Sequence, residues 1–209
     1  YGDYKLPTYI YLTSVFESVL GLTTLAVRLT SILAGIGIVI FTYLLGEKLF
    51  NRRVGLLASL LAAIEPWTFF LSRGAFEANL ALFFITAGTY FFLRGSKNPM
   101  FYVLCLMSFG LSIWTYNSAR IFVPLFLIVL IWIYKNQLIN FVKAKKTDVV
   151  VCCLLFALFF IPMFYQLARP VGQARYGWVA ILDEGAINNI NESRRVSKFS
   201  PLLTKIVYN

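Results

Sequence analysis

Residues 65–77 read EPWTFFLSRGAFE and join two long apolar runs. Pro66 and Gly74 punctuate the stretch and mark where one helix stops and the next begins. Between them the chain sets Glu65, Arg73 and Glu77 where lipid would otherwise demand hydrocarbon. Ionised groups near a bilayer are costly unless they reach water, a partner or a substrate. Taken alone, the stretch therefore reads either as an interfacial loop facing water or as a working site. Its neighbours weigh between the two.

Those neighbours are apolar. Of 209 residues, 59% are hydrophobic and 13% charged, with a mean hydropathy of +0.75. A soluble domain carries about 25% charged residues, so the composition reads as an all-α, polytopic membrane helix bundle with no length left for a sizeable soluble domain. The net charge of +10 does not point to nucleic acid, because the basic residues are scattered between apolar runs. That is the pattern of membrane topology and of contact with anionic lipid or phosphate. Histidine is absent, which removes the commonest general base and metal ligand. Cys105, Cys152 and Cys153 sit in apolar runs without C-x-x-C spacing and read as buried packing thiols.

Working outward from residues 65–77, the spacing of apolar runs predicts about six transmembrane helices within 28–168, each near the length a bilayer requires. Leu29–Gly46 is the first. Val54–Ile64 is too short alone and must borrow a turn from Arg52 and Arg53 or continue past Glu65. Ala78–Leu93, Met100–Tyr116, Ile121–Tyr134 and Val149–Leu167 follow. Pro124 is expected in the first turn of its helix, Pro162 at a kink, and 135–147 as a polar connector. Residues 1–27 read as an outer loop and an interfacial helix from Thr8 to Leu20, ended by Gly21. Residues 169–209 read as an outward-facing tail. The chain begins at Tyr1 and closes without a terminal element, so it is expected to be part of a longer enzyme.

Orientation follows from charge. Alternate connectors hold Lys48, Arg52 and Arg53, then Arg94 and Lys97, then Lys135, Lys143, Lys145 and Lys146, while the opposite short turns hold only Arg73 and Arg120. The lysine-rich set is assigned to the cytoplasm. Arg28, Arg73, Arg120 and Arg169 then stand on the outer rim, spaced 45, 47 and 49 residues apart. Fixed span lengths account for the spacing, so the sign of the charge on that face is the informative feature. The first three are expected to begin inward-running helices, whose positive N-termini would help them converge on one anion. Each alone also reads as a headgroup anchor. Guanidinium forks match phosphate oxygens. A lipid-linked phosphate fits, with its tail in a groove lined by Phe69, Phe70, Phe83 and Phe84, although ordinary packing suits each phenylalanine as well.

At this point the chain resembles the polytopic C-type (GT-C) glycosyltransferases that use polyprenyl-phosphate sugars, the group of the protein mannosyltransferases and the lipid A aminoarabinose transferase. The resemblance rests on several stretches taken in order. Tyr4-Lys5-Leu6-Pro7-Thr8-Tyr9 is similar to the basic and proline-rich end of their first outer loop. Arg28-Leu29-Thr30-Ser31 is similar to their entry into the next span. Leu45-Gly46 through Phe50, Arg52 and Arg53 is similar to their cytoplasmic turn. Ser72-Arg73 with Glu77 is similar to a Ser-Arg…Asp segment, with Glu for Asp. Gly110-Leu111 through Tyr116, then Ala119-Arg120 and Pro124, is similar to a hairpin of bacterial members. The likeness runs from Lys5 to about Ala180.

The resemblance implies transfer of a mannose-like hexose from a polyprenyl-phosphate donor to a protein, lipid or glycan acceptor at the outer membrane boundary. It further implies a multi-pass protein of a prokaryotic plasma membrane. Lys5, Arg28, Arg73 and Arg120 would stabilise charge on the departing phosphate. Tyr116 would donate a hydrogen bond, Arg175 would join from the tail, and Arg175-Tyr176-Gly177-Trp178 would cover the site as a loop. Glu77 would orient Arg73 at helical i, i+4 spacing. The family's catalytic aspartate lies just after its first span, upstream of Tyr1, which leaves Asp3 as the candidate carboxylate and the 209-residue chain alone expected to be inactive. No particular cofactor is implied, and a carboxylate at Asp3 could bind a divalent cation or the acceptor. A transporter or flippase of an anionic lipid or solute would use the same arginines without chemistry, though such proteins hold substrate near the midplane.

Overall fold

The computed structural model describes residues 6–144 and 146–168. Every regular element among them is helical: α1 Pro7–Leu20, α2 Thr24–Leu49, α3 Arg52–Ile64, α4 Pro66–Arg73, α5 Glu77–Arg94, α6 Met100–Ile113, α7 Ala119–Ile133, α8 Lys135–Ala144 and α9 Lys146–Leu167. The chain divides into two compact units. Lys5–Phe164 is the one considered below, and the end of α9 from Tyr165 belongs to the other. Residues 169–209, expected as an outward-facing tail and holding Arg169 and Arg175, lie outside the described residues, as do Asp3 and Lys5.

Residues 65–77 behave as their punctuation requires. Ile64 ends α3, Glu65 is extended at φ −59° and ψ 125°, and Pro66 opens α4 at a bend of 55°. Proline suits the first helical position because its missing N–H would have no intrahelical partner there. The second apolar run resolves its short length in both expected ways at once. It starts early, with Asn51 Oδ1 accepting from Val54 N at 3.0 Å, and it continues past Glu65 as α4.

The bundle is organised around α2, which packs against α1, α3, α4 and α5. Where α2 meets α3 the backbones touch. A Cβ on Gly55 would lie 2.8 Å from both Glu47 N and Tyr43 O, and one on Gly46 would lie 2.7 Å from Gly55 Cα. Small residues permit this approach, which membrane helices use where no hydrophobic drive exists between them. Next to it α5 and α6 pair extensively. Ser112 Oγ donates to Ala81 O at 3.2 Å, and Phe109 is fully buried beside Gly88. At the end remote from α1, rings close the bundle: Phe41 with Tyr90 and Phe91, Phe92 with Tyr134, and Tyr102 with Phe141.

Outward-facing apolar residues on α3, α7 and α9, among them Leu57, Leu61, Ile128, Trp132, Leu154 and Leu158, remain exposed. Hydrocarbon is the solvent for such faces, because a lipid-exposed helix keeps its backbone bonds internal and its side chains apolar. Against about six expected spans, length and composition alone qualify two helices, α2 and α9, or up to four when the bent pairs α3 with α4 and α7 with α8 are each taken as one. The shortfall has a physical cause. α6 has only 14 residues, and α5 carries Glu77 and Arg94 at its two ends.

Three local expectations change. The 135–147 connector is largely helix α8, turned 83° from α7, with Phe141 packed on Tyr102 while Ile139 and Val142 stay exposed. Pro124 lies in the second turn of α7, because the helix already starts at Ala119. It therefore removes an interior hydrogen bond. Of the three thiols only Cys105 is buried, whereas Cys153 is exposed on α9.

Candidate functional site

α1 fits the helix expected from Thr8 to Leu20. It begins with Pro7 and stops at Gly21, whose φ of +71° a side chain would resist. Its first half is tied to α2 and to the end of α6. At its start Thr8 N and Thr8 Oγ1 both donate to Trp114 O, at 3.3 and 2.9 Å. Further along, Tyr9 Oη donates to Val27 O at 3.3 Å, and the Thr13 and Thr30 hydroxyls bond at 3.1 Å in a buried contact. Tyr9, Ala34 and Leu80 form a small core with Phe83 and Phe84 against it. α1 is thus a strap across the start of α2, the start of α5 and the end of α6. Burial, and to a lesser extent the Glu77 charge, raise the Tyr9 phenol above its ordinary value, while its hydrogen bond with Thr13 works the other way.

The candidate residues are spread over α2, α4, α5, the α6–α7 turn and α7, in different states. Arg28, in the second turn of α2, is exposed. Arg73 is exposed too, its guanidinium 4.3 Å from the centre of the Phe69 ring, a cation–π contact of the usual kind. It does not begin an inward-running helix. It is the last residue of α4, and α5 begins at Glu77. Gly74 breaks the helix between them, so the expected i, i+4 pairing of Glu77 with Arg73 on one helix face does not apply. Glu77 is instead the acidic residue in the first turn of α5, where the helix dipole favours it.

Arg120 is buried, at 5% exposure. Its Nε donates to Ile113 O at 3.3 Å, and its guanidinium lies 5.7 Å from the centre of the Trp114 ring. The arginine thereby closes the α6–α7 turn. Tyr116 is half-buried in that turn, its carbonyl accepting from Ala119 N at 3.1 Å.

Beside the strap lies an open apolar cavity of about 620 Å³. Pro7, Thr8, Tyr11 and Leu12 of α1 line one side, and Phe84, Leu111, Trp114, Leu158 and Phe159 the other. Its size falls within the roughly 300–1,000 Å³ of small-molecule sites. Of the four phenylalanines expected there, only Phe84 contributes. Phe83 packs on Phe41, Phe70 on Phe76, and Phe69 under Arg73. Trp114 belongs to both environments: it lines the cavity, stacks with Arg120, and its Nε1 donates to Phe159 O at 3.2 Å. Sequence reasoning missed this tryptophan. Its position directly before Thr115-Tyr116 in the hairpin was the available signal.

Sequence reasoning also missed a polar node between α2, α4 and α5. Asn79 is fully buried, and its Nδ2 donates to Ser31 O at 2.8 Å and to Ser31 Oγ at 3.2 Å. Ser31 Oγ in turn donates to Leu71 O at 2.8 Å. Among the described residues no group of three or more His, Cys, Asp or Glu is placed to hold a metal ion; the suggested cation at Asp3 falls outside them.

No curated protein and no solved structure matches the chain. A family model described as dolichyl-phosphate-mannose-protein mannosyltransferase matches residues 5–166, the stretch that holds the strap, the rim arginines on it and the apolar cavity. An all-helical bundle with apolar outer faces is the architecture that the composition predicted. The chain belongs to the dolichyl-phosphate-mannose-protein mannosyltransferase family, and so to the membrane glycosyltransferases.

Proposed function

We propose that the protein transfers a mannose-like hexose from a polyprenyl-phosphate donor to a protein, lipid or glycan acceptor on the outer face of a prokaryotic plasma membrane. The observation that carries the reading is Trp114, which borders an apolar cavity on one side and a buried guanidinium on the other. A lipid phosphate needs this combination, hydrocarbon for the tail and positive charge at the lip. The polyprenyl chain lies along the cavity. Arg28 and Arg73, both exposed, reach the phosphate, and Tyr116 donates a hydrogen bond to phosphate or sugar. Arg120 adds fixed positive potential from inside the turn. The lysine-rich connectors mark the cytoplasmic side.

In the reaction an acceptor oxygen or nitrogen attacks the anomeric carbon while that carbon's bond to the phosphate oxygen breaks. The acceptor proton passes to a carboxylate acting as base, and the electron pair leaves with the polyprenyl phosphate. Charge therefore grows on the phosphate in the transition state, and preorganised guanidinium groups lower the barrier there. Asp3 is the carboxylate within this chain assigned to the role, and Lys5 and Arg175 complete the cationic ring.

The 55° break between α3 and α4 is a feature that a transporter of an anionic lipid would share. One experiment separates the readings. Native membranes, in which the protein is made at its natural length, are given radiolabelled polyprenyl-phosphate mannose. Label appearing on a protein, lipid or glycan acceptor supports transfer, whereas label that stays on the donor and only changes leaflet supports transport and sinks the transferase reading.

A further inference from the structure

Asn79 and Ser31 connect the three elements that carry Arg28, Arg73 and Glu77. Ser31 lies three residues after Arg28 on α2, Leu71 two before Arg73 on α4, and Asn79 two after Glu77 on α5. The bonds among them run in one direction: the Asn79 amide donates to Ser31, and Ser31 Oγ donates to Leu71 O. Only the nitrogen of the Asn79 amide can serve the Ser31 carbonyl, so its orientation is set by chemistry. The last carbonyls of a helix have no intrahelical donor. The one on Leu71 finds it in Ser31, from a different helix.

Sterics support the same joint. One turn below Ser31, a Cβ on Gly35 would come within 2.8 Å of Ser72 Cβ and 3.6 Å of Asn79 Nδ2. α4 therefore ends against α2 with no room for a side chain between them. Asn79 Oδ1 is buried without a hydrogen-bond partner among the described residues. A buried acceptor left unmade is unfavourable. A polar group kept at such a position is better accounted for by what its donor nitrogen holds in place.

We propose that Asn79 and Ser31 are positioning residues that fix the last turn of α4, and with it Arg73, relative to Arg28 and the start of α5. The proposal rests on the reading of Arg73 as a phosphate-facing group. Arg73 is exposed on an eight-residue helix flanked by Glu65 and Gly74. Its place in space depends on this joint more than on α4 itself.

The test uses the protein in its own membranes with radiolabelled polyprenyl-phosphate mannose as donor. Asn79→Leu keeps the shape but deletes both the buried acceptor and the two hydrogen bonds to Ser31, so the two effects offset and the unfolding temperature is expected to stay within a few degrees of wild type. Turnover is expected to fall at least about tenfold, with the donor KM changed by less than about threefold, because misplacement acts on the transition state. Ser31→Ala lowers turnover in the same way, and by leaving the Leu71 carbonyl without that donor it also lowers thermal stability. The double variant is no worse than the deeper single, since both act along one path. A tenfold loss of turnover in Asn79→Leu at near wild-type thermal stability and donor KM is a result that a merely structural role would not give.

Wild-type turnover in both single variants overturns the proposal, as does turnover that simply follows thermal stability across the series. Ser31→Ala, which removes one oxygen, carries the test should Asn79→Leu not accumulate. Arg73→Ala distinguishes the two layers. If it transfers sugar normally, the reading of the rim arginine fails. If it is inactive while Asn79→Leu and Ser31→Ala are not, only the joint fails.

Discussion

Arg73 and Arg120 carry the same charge in opposite settings. Arg73 is exposed and stacked on Phe69, while Arg120 is buried against Ile113 O and Trp114. Substitutions should separate them. Arg73→Lys keeps the charge and loses the fork, so folding stability is expected to change by less than about 0.5 kcal/mol, while sugar transfer falls. Arg120→Ala leaves the Ile113 carbonyl without that donor and is expected to cost about 1–3 kcal/mol, seen as a lower unfolding temperature with or without donor. Tyr9 supplies a pH dependence. Its phenol is raised above the ordinary value, so the folded state holds that proton more tightly than the unfolded chain does. The stability it adds is complete below about pH 10 and is lost as the pH rises beyond that. Tyr9→Phe should remove this alkaline loss in unfolding measurements.

At the scale of elements, two joints set the geometry. The first is the α2–α3 contact through Gly46 and Gly55. Gly55→Ala would drive a methyl group to 2.8 Å from Glu47 N and Tyr43 O, where only backbone is available to move. The expected cost is about 1–3 kcal/mol, read as reduced thermal stability, with a larger loss for Gly55→Leu. The second joint is the α1 strap. Its attachments at Thr8, Tyr9 and Thr13 reach the end of α6 and the first turns of α2. Thr13→Val removes the buried hydroxyl contact with Thr30 at nearly constant volume. It should loosen the strap, and faster labelling of a cysteine placed at Leu12 is the measurement that detects it.

For the molecule as a whole, the lipid has two claims on the protein: hydrocarbon faces that meet the bilayer, and one apolar cavity beside the strap. If the cavity holds the polyprenyl chain, Trp114→Ala should weaken discrimination between long- and short-chain donors. The expected rise in KM is at least about fivefold for the long-chain donor and less for a short one, since burying an aromatic surface contributes on the order of 1.5–3 kcal/mol. Equal effects on both donors would place the tail elsewhere.

The sequence by itself determined the class, most of the helix limits and the family. Bilayer thickness dictates the length of apolar runs, and proline, glycine and charge mark their ends. Gly21 and Pro66 each end or open a helix by local chemistry alone, so they were legible. Contacts between distant residues were not. That Ser31 would bond Leu71 and Asn79, that Trp114 would border the cavity in place of Phe69, Phe70 and Phe83, and that Arg120 would turn inward depend on how helices cross. Helical periodicity says which residues share a face. Only packing decides what that face meets, because in lipid it depends on close backbone approach and interhelical hydrogen bonds rather than on apolar pattern.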